Sequence, residues 1–171
     1  MWEFQGQKRP DFAKPPAPGQ ESVWDYPRPP RIERVSWRVQ VRHGPQLLAD
    51  STRACRVLET ASPPTFYLPA DDVAMDLLRA APGRSNCEWK GEASYFALAD
   101  PEANGQPVAW SYPRPTPAFA ALAAWVSFYP GRVACQVDGE VVRAQPGGFY
   151  AGWVTDSIVG PFKGEPGTGH W

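Results

Sequence analysis

The stretch Arg34–Arg42, RVSWRVQVR, places Val35, Trp37, Val39 and Val41 on one side and Arg34, Ser36, Arg38, Gln40 and Arg42 on the other. Successive side chains of an extended chain point to opposite faces, so this alternation predicts an amphipathic strand. His43-Gly44-Pro45 interrupts it and Gln46–Asp50 (QLLAD) returns, which reads as a hairpin. Working outward, Ala54–Thr60 (ACRVLET), Thr65–Leu68 (TFYL), Asn86–Ala99 and Pro107–Tyr112 read as further strands. Within Arg132–Arg143 (RVACQVDGEVVR), Asp138-Gly139 is a type I′ hairpin signal between two alternating runs. Two segments read as short helices. Asp71–Ala80 (DDVAMDLLRA) opens with acids that suit a helix N-terminus, and Pro117–Trp125 (PAFAALAAW) has Pro at its start and is rich in Ala and Leu. The expected fold class is mainly β, antiparallel, with two short helices.

Composition supports this. Twenty-one Pro and fifteen Gly in 171 residues leave no room for long helices, while 43% hydrophobic and 20% charged residues suffice for one ordinary core. Residues 1–22 mix Pro, Gly, Gln and charge without periodicity and read as an extended arm, with residues 23–171 forming one domain. Trp2, Phe4 and Phe12 on that arm are costly to leave in water, so they are expected to dock on the domain or on a second copy in a homodimer. A net charge of −1 argues against a globally basic nucleic-acid binder. No apolar run approaches the roughly 18–20 residues that span a membrane. Cys55, Cys87 and Cys135 are odd in number and far apart, which fits reduced thiols in a soluble cytoplasmic protein.

The candidate chemistry centres on Cys87–Tyr95, CEWKGEASY. Read as a strand, it sets Cys87, Trp89, Gly91, Ala93 and Tyr95 on one face and Glu88, Lys90, Glu92 and Ser94 on the other. Two readings stay open for the charged face. It is a solvated ion-pair ladder, or it lines a cavity in which Glu88, Lys90 and Glu92 present acid, base and cation together. Alternation puts Glu59 beside Cys55 and Val57, pointing inward, where Arg53, Arg56 or Lys90 would be its partner in a structural ion pair or a catalytic site. Cys87 reads as a core thiol, or as a nucleophile if a cation lowers its pKa. Trp-x-Tyr-Pro-Arg-Pro occurs twice, at Trp24 and Trp110. Trp24, Tyr26, Trp89, Tyr95, Trp110, Tyr112, Tyr150 and Trp153 are the candidate walls of an aromatic pocket, against the alternative that they are bulk core. Arg34, Arg38 and Arg42, preceded by Arg28 and Arg31, form the one basic concentration, either a solvated face or a phosphate-binding one.

WDYPRP (24–29), CEWKGEASY (87–95), WSYPRP (110–115), FYPGR (128–132) and PGGFYAGW (146–153), running on to PFK (161–163), occur in this order. With DSTRACRVLET and GPFKGEPGTG they resemble the bacterial and fungal family known as domain of unknown function 427, also labelled nucleotidyltransferase-like, from about Glu21 onward. The chain ends GTGHW where the family reads like GTWGW, so Trp171 is the aromatic left there. The resemblance implies a compact two-sheet fold of the β-tent type, some relatives of which hold zinc through paired Cys-x-x-Cys knuckles. This chain has no Cys-x-x-Cys, so no zinc or other cofactor is expected. The Gly-Ser and paired Asp expected of a nucleotidyltransferase are also missing, Asp71-Asp72 being the nearest approach. Three functions are expected on these grounds: a small-molecule-binding domain with an aromatic pocket, an enzyme acting on a nucleotide or phosphate ester, and a protein-interaction module.

Overall fold

The computed structural model describes residues 2–171. Its strands fall into five sheets rather than two. One four-stranded antiparallel sheet runs Val126–Phe128, Pro107–Ser111, Gly91–Leu98, Leu78–Cys87, and a second runs Glu140–Val141, Ala134–Val137, Val39–His43, Gln46–Ser51. Between them in the chain's path lies a three-stranded sheet, Arg31–Arg34, Cys55–Leu58, Thr65–Tyr67. Two small pairs complete the set: Glu21–Ser22 lies parallel to Ile158–Val159, and Arg143–Ala144 pairs with Trp153–Val154. No helix among the described residues is long and apolar enough to cross a membrane.

The hairpins fall where alternation and turn residues put them. Val39–His43 pairs with Gln46–Ser51 across Gly44-Pro45, and Val137 faces Glu140 across Asp138-Gly139. Three expectations need correction. RVSWRVQVR is not one strand: pairing stops at Arg34 and resumes at Val39, although Val35, Trp37, Val39 and Val41 do share the first core cluster. The four residues between carry the chain from the three-stranded sheet to its neighbour. Asp71–Ala80 is not a helix, because only two 3₁₀ turns form, Ala70–Asp72 and Met75–Leu77, before Leu78 joins the sheet opposite Leu98. Pairing along Leu78–Cys87 outweighs the helix propensity of Ala, Leu and Met. Pro82-Gly83 then makes a bulge in that strand, which the sheet tolerates because the strand is at its edge. Pro117–Leu122 is likewise a 3₁₀ segment, broken by the non-helical φ of −113° at Phe119.

The Cys55–Leu58 strand organises the interior. All four residues are buried, and alternation divides them. Cys55 lies opposite Tyr67, and Cys55, Val57 and Tyr67 share one core cluster with Trp110, Tyr112 and Phe119. Arg56 lies opposite Phe66, which packs in a different cluster with Leu68, Phe128 and Trp153. A third cluster, around Trp24, Tyr26, Leu58 and Ile158, receives Phe4 from the N-terminal segment. Phe4 and Phe12 meet Trp24 edge-on at 5.2 and 5.1 Å, and Phe12 stacks on Trp171 at 5.2 Å.

Arg56 is 4% exposed and makes four short bonds, two to Glu21 Oε atoms (2.8 and 3.0 Å) and two to Glu33 Oε1 (2.6 and 2.9 Å). Burial pushes the Glu21 carboxyl up, but hydrogen bonds from Arg56 and Tyr26 outweigh it and hold its pKa below the usual carboxylate value. A carboxyl whose folded pKa is depressed adds stability above its unfolded pKa, and that stability is lost as pH falls through the folded value. Replacing Arg56 by Met should therefore cost about 2–3 kcal/mol at pH 7 in urea unfolding. It should also flatten the fall in wild-type stability from about pH 5 downward; an unchanged midpoint with an unchanged acid limb contradicts this account.

Candidate functional site

CEWKG is the tip of a hairpin, not a continuous strand: Leu78–Cys87 ends at Cys87, a turn covers Glu88–Lys90, and Gly91–Leu98 begins the return. Gly91 sits at φ +99°, a conformation that side chains other than glycine's rarely adopt. The turn cancels the alternation on which the Glu88, Lys90, Glu92 row depended. The three charges separate: Glu92 points to solvent toward Arg84 at 4.0 Å, Glu88 is exposed at the tip, and Lys90 is folded inward and buried. Thr116, just beyond WSYPRP, fixes the tip by donating its backbone N–H to the Lys90 carbonyl (3.1 Å) and its hydroxyl to the Trp89 carbonyl (2.6 Å).

Lys90 enters the cluster of Tyr67, Tyr112 and Phe119, with its Nζ 5.7 Å from the Tyr112 ring centre and 6.0 Å from that of Phe119. Burial pulls its pKa down, but Tyr67, Cys87 and Glu59 together outweigh that and hold it above the usual lysine value. Yet no carboxylate among the described residues comes within 4.0 Å of it. The neighbouring Trp89 Nε1 is buried without a hydrogen-bond partner. The Trp89 N–H is thus short of an acceptor, and the Lys90 ammonium beside it has the Cys87 thiol but no carboxylate at close range.

Glu59 follows the Cys55–Leu58 strand and lies near enough to Lys90 to help raise its pKa. Of its expected partners, Arg53 pairs with Asp72 and Arg56 with Glu21 and Glu33. Its direct partner is Arg28, whose Nε donates to Glu59 Oε1 at 3.3 Å while Nη1 and Nη2 donate to the Phe4 and Thr60 carbonyls, each at 2.9 Å. Lys163 is the third cation: its Nζ lies 5.4 Å from the Tyr150 ring and donates to the Trp171 carbonyl at 3.0 Å. Burial and then the neighbouring Arg28 lower its pKa, against the pull of Glu59 and Glu88. Alternation could not find Arg28 or Lys163, since WDYPRP and PFK are Pro-bounded and aperiodic; Arg28 was marked by its place before the basic run, and Lys163 only by its place in a family-like phrase.

The eight candidate aromatics separate into three places. Trp89, Tyr95, Trp110 and Tyr112 share one core cluster, in which Tyr112 faces Lys90, and Tyr150 is exposed beside Lys163. Trp24 and Tyr26 are in the cluster under the N-terminal segment. Trp153 packs in the first core cluster, stacked on Phe66 at 5.0 Å, and with Trp37 and Arg56 lines a separate cleft of about 260 Å³. Arg56 in that cleft is already neutralised by two carboxylates, so it lacks the unmet charge of Lys90. Around Lys90 the phenols interlock. Trp110 Nε1 donates to Tyr67 at 3.3 Å, Tyr95 and Ser85 share a hydrogen bond of 2.5 Å, and burial with Tyr95 nearby pushes Tyr129 up to about 12. Among the basic run, Arg38 pairs with Asp50, and Arg28 alone reaches the site. Among the described residues no three His, Cys, Asp or Glu side chains converge as a metal site.

Residues 31–143, more than half of the chain, match the family model described as Domain of unknown function (DUF427). No curated protein matches the chain.

Cys87 is the one thiol of the three that is partly exposed, and it adjoins Lys90. Burial raises the pKa of both Cys55 and Cys135. Iodoacetamide should alkylate native Cys87 about tenfold or more faster than the other two. Peptide mass mapping after timed quenching reads this directly, and equal rates at all three would place Cys87 in the sealed core instead.

Proposed function

We propose that this chain, a member of the domain of unknown function 427 family, is a binding domain for a small organic anion whose charged group pairs with Lys90. The observation that carries the reading is the buried ammonium with no carboxylate within 4.0 Å. Leaving a buried charge without a close counter-ion costs several kcal/mol, a large share of the roughly 5–15 kcal/mol by which a domain is stable. A ligand anion removes that cost in the bound state. Trp89 Nε1 supplies a second donor at the same hairpin tip, and the faces of Tyr112 and Phe119 suit the apolar part of the ligand. Glu59 holds Arg28 at the mouth and partly offsets the positive field, so the site attracts anions without collapsing on its own carboxylate.

A second reading, action on a phosphate ester, draws on one observation: Arg28 and Lys163 lie close enough for the guanidinium to depress the ammonium's pKa. Two cations at a mouth suit a dianion better than a carboxylate. The family's nucleotidyltransferase label points the same way, but among the described residues no three His, Cys, Asp or Glu side chains converge to hold a metal–nucleotide complex.

Calorimetric titration with acetate, inorganic phosphate and phenyl phosphate separates these readings. Lys90→Met should weaken binding of every anion at least tenfold, or about 1.4 kcal/mol. The same substitution should leave stability unchanged or raise it by about 1–3 kcal/mol, because it removes a buried charge that lacks a close partner. Wild-type affinity in the Lys90→Met protein would show that the anion sits elsewhere and end the proposal.

A further inference from the structure

The N-terminal segment brings Trp2 beside the Lys90 hairpin, against Glu88 at its tip and against Arg28 and Lys163. Its indole lies flat against two cations, with the Lys163 ammonium 4.0 Å and the Arg28 guanidinium 4.4 Å from ring centres. The indole N–H donates to Glu88 Oε1 at 3.1 Å. One ring thus has its π face read by two cations and its N–H edge read by a carboxylate. Each half of that recognition is specific: cations favour the electron-rich face of an aromatic ring, and a carboxylate accepts only from a donor on its edge.

The segment behind Trp2 is held by the bond from Arg28 to the Phe4 carbonyl and by further contacts that lie outside the slot. Arg9 makes a two-pronged pair with Asp25 at 2.7 and 2.6 Å, and Phe4 packs edge-on against Trp24. Gly6 passes directly under the Tyr26 carbonyl at φ +74°, where an added Cβ would stand 2.1 Å from that oxygen. A side chain at this position is incompatible with the seated arm. The arm therefore has a fixed seat and an indole delivered to one place.

We infer that the slot formed by Arg28, Lys163 and Glu88 is a binding subsite for a planar ring with an N–H edge, filled in the free protein by Trp2. The ligand of the Lys90 site is then an N–H heteroaromatic bearing an anionic group, and it binds by displacing Trp2. This rests on the anion reading given above and adds to it the identity of the ligand's ring and an intramolecular competitor. A tethered group competes at an effective concentration of about millimolar, enough to set a threshold for ligand entry.

The test compares acetate, which probes the Lys90 end alone, with indole-3-acetate, which also carries the ring. Both are titrated into full-length wild type and into Trp2→Ala and Gly6→Ala, with indole ¹⁵N–¹H spectra recorded at each point. The wild-type indole resonance that Trp2→Ala removes should shift toward that of a water-exposed indole as indole-3-acetate is added, and not with acetate. Trp2→Ala and Gly6→Ala should each bind indole-3-acetate about tenfold or more tighter than wild type, with acetate affinity changed less than twofold. Equal indole-3-acetate affinity in all three proteins, with acetate still bound, overturns the ring subsite and leaves the anion reading standing. Failure of both probes to bind any of the three proteins overturns both. Gly6→Ala retains the Trp2 residue while unseating the arm, so it keeps the test decisive should Trp2→Ala unfold.

Discussion

The Cys55–Leu58 strand is buried along its whole length, and the arrangement of the interior depends on that constraint. A strand buried on both faces must send alternate side chains into different environments, here Arg56 to one side and Cys55 and Val57 to the other. On the first side an arginine lies in the interior, which two carboxylates from neighbouring segments make tolerable. On the second, Tyr67 from the adjacent strand starts a layer of phenols and indoles that a lysine enters from the hairpin beyond. The same protein thus contains two buried cations answered in opposite ways. Arg56 is closed off by Glu21 and Glu33; Lys90 has the Cys87 thiol, π faces and more distant charge. The proposed function rests on that difference rather than on the number of aromatic residues.

Much of the fold could be read from period-two alternation and turn chemistry. Val39 and Val41, the hairpin over Gly44-Pro45, the turn at Asp138-Gly139 and the core strand from Cys55 all arise from rules that act over a few residues. The misread parts depend on distant partners. Met75–Leu78 has the composition of a helix but is extended at Leu78 because Leu98 is there to pair with it. The tip at Glu88–Lys90 has no Asn-Gly or Asp-Gly pair to announce a turn, and it is stabilised from the outside by Thr116. Reading it as a strand gave a charged row that does not exist, while picking out the one residue of that row that is buried.

The site was legible in its centre and hidden at its edges. Glu59 stood out because alternation pointed it inward, Lys90 because it sat in a charged row that could line a cavity, and Trp89 and Tyr112 for their aromatic character. Arg28, Lys163 and Trp2 come from Pro- and Gly-rich segments whose backbone direction no local rule gives, and they meet only when both ends of the chain fold over the same mouth. The repeated Trp-x-Tyr-Pro-Arg-Pro illustrates the limit. In the first copy Arg28 is buried against Glu59, while in the second Arg114 is exposed, so identical spacing serves different purposes.

The central claim is that the Lys90 ammonium is a charged group awaiting an anion. The most direct measurement is the ¹⁵Nζ and ¹³Cε resonances of Lys90, identified by their loss in Lys90→Met, tracked during acetate titration at pH 7. The account predicts shifts typical of an ammonium in the free protein and a saturable change in the Lys90 resonances as acetate binds. A Lys90 resonance that is neutral at pH 7, or one that stays fixed while acetate binding saturates by calorimetry, contradicts it.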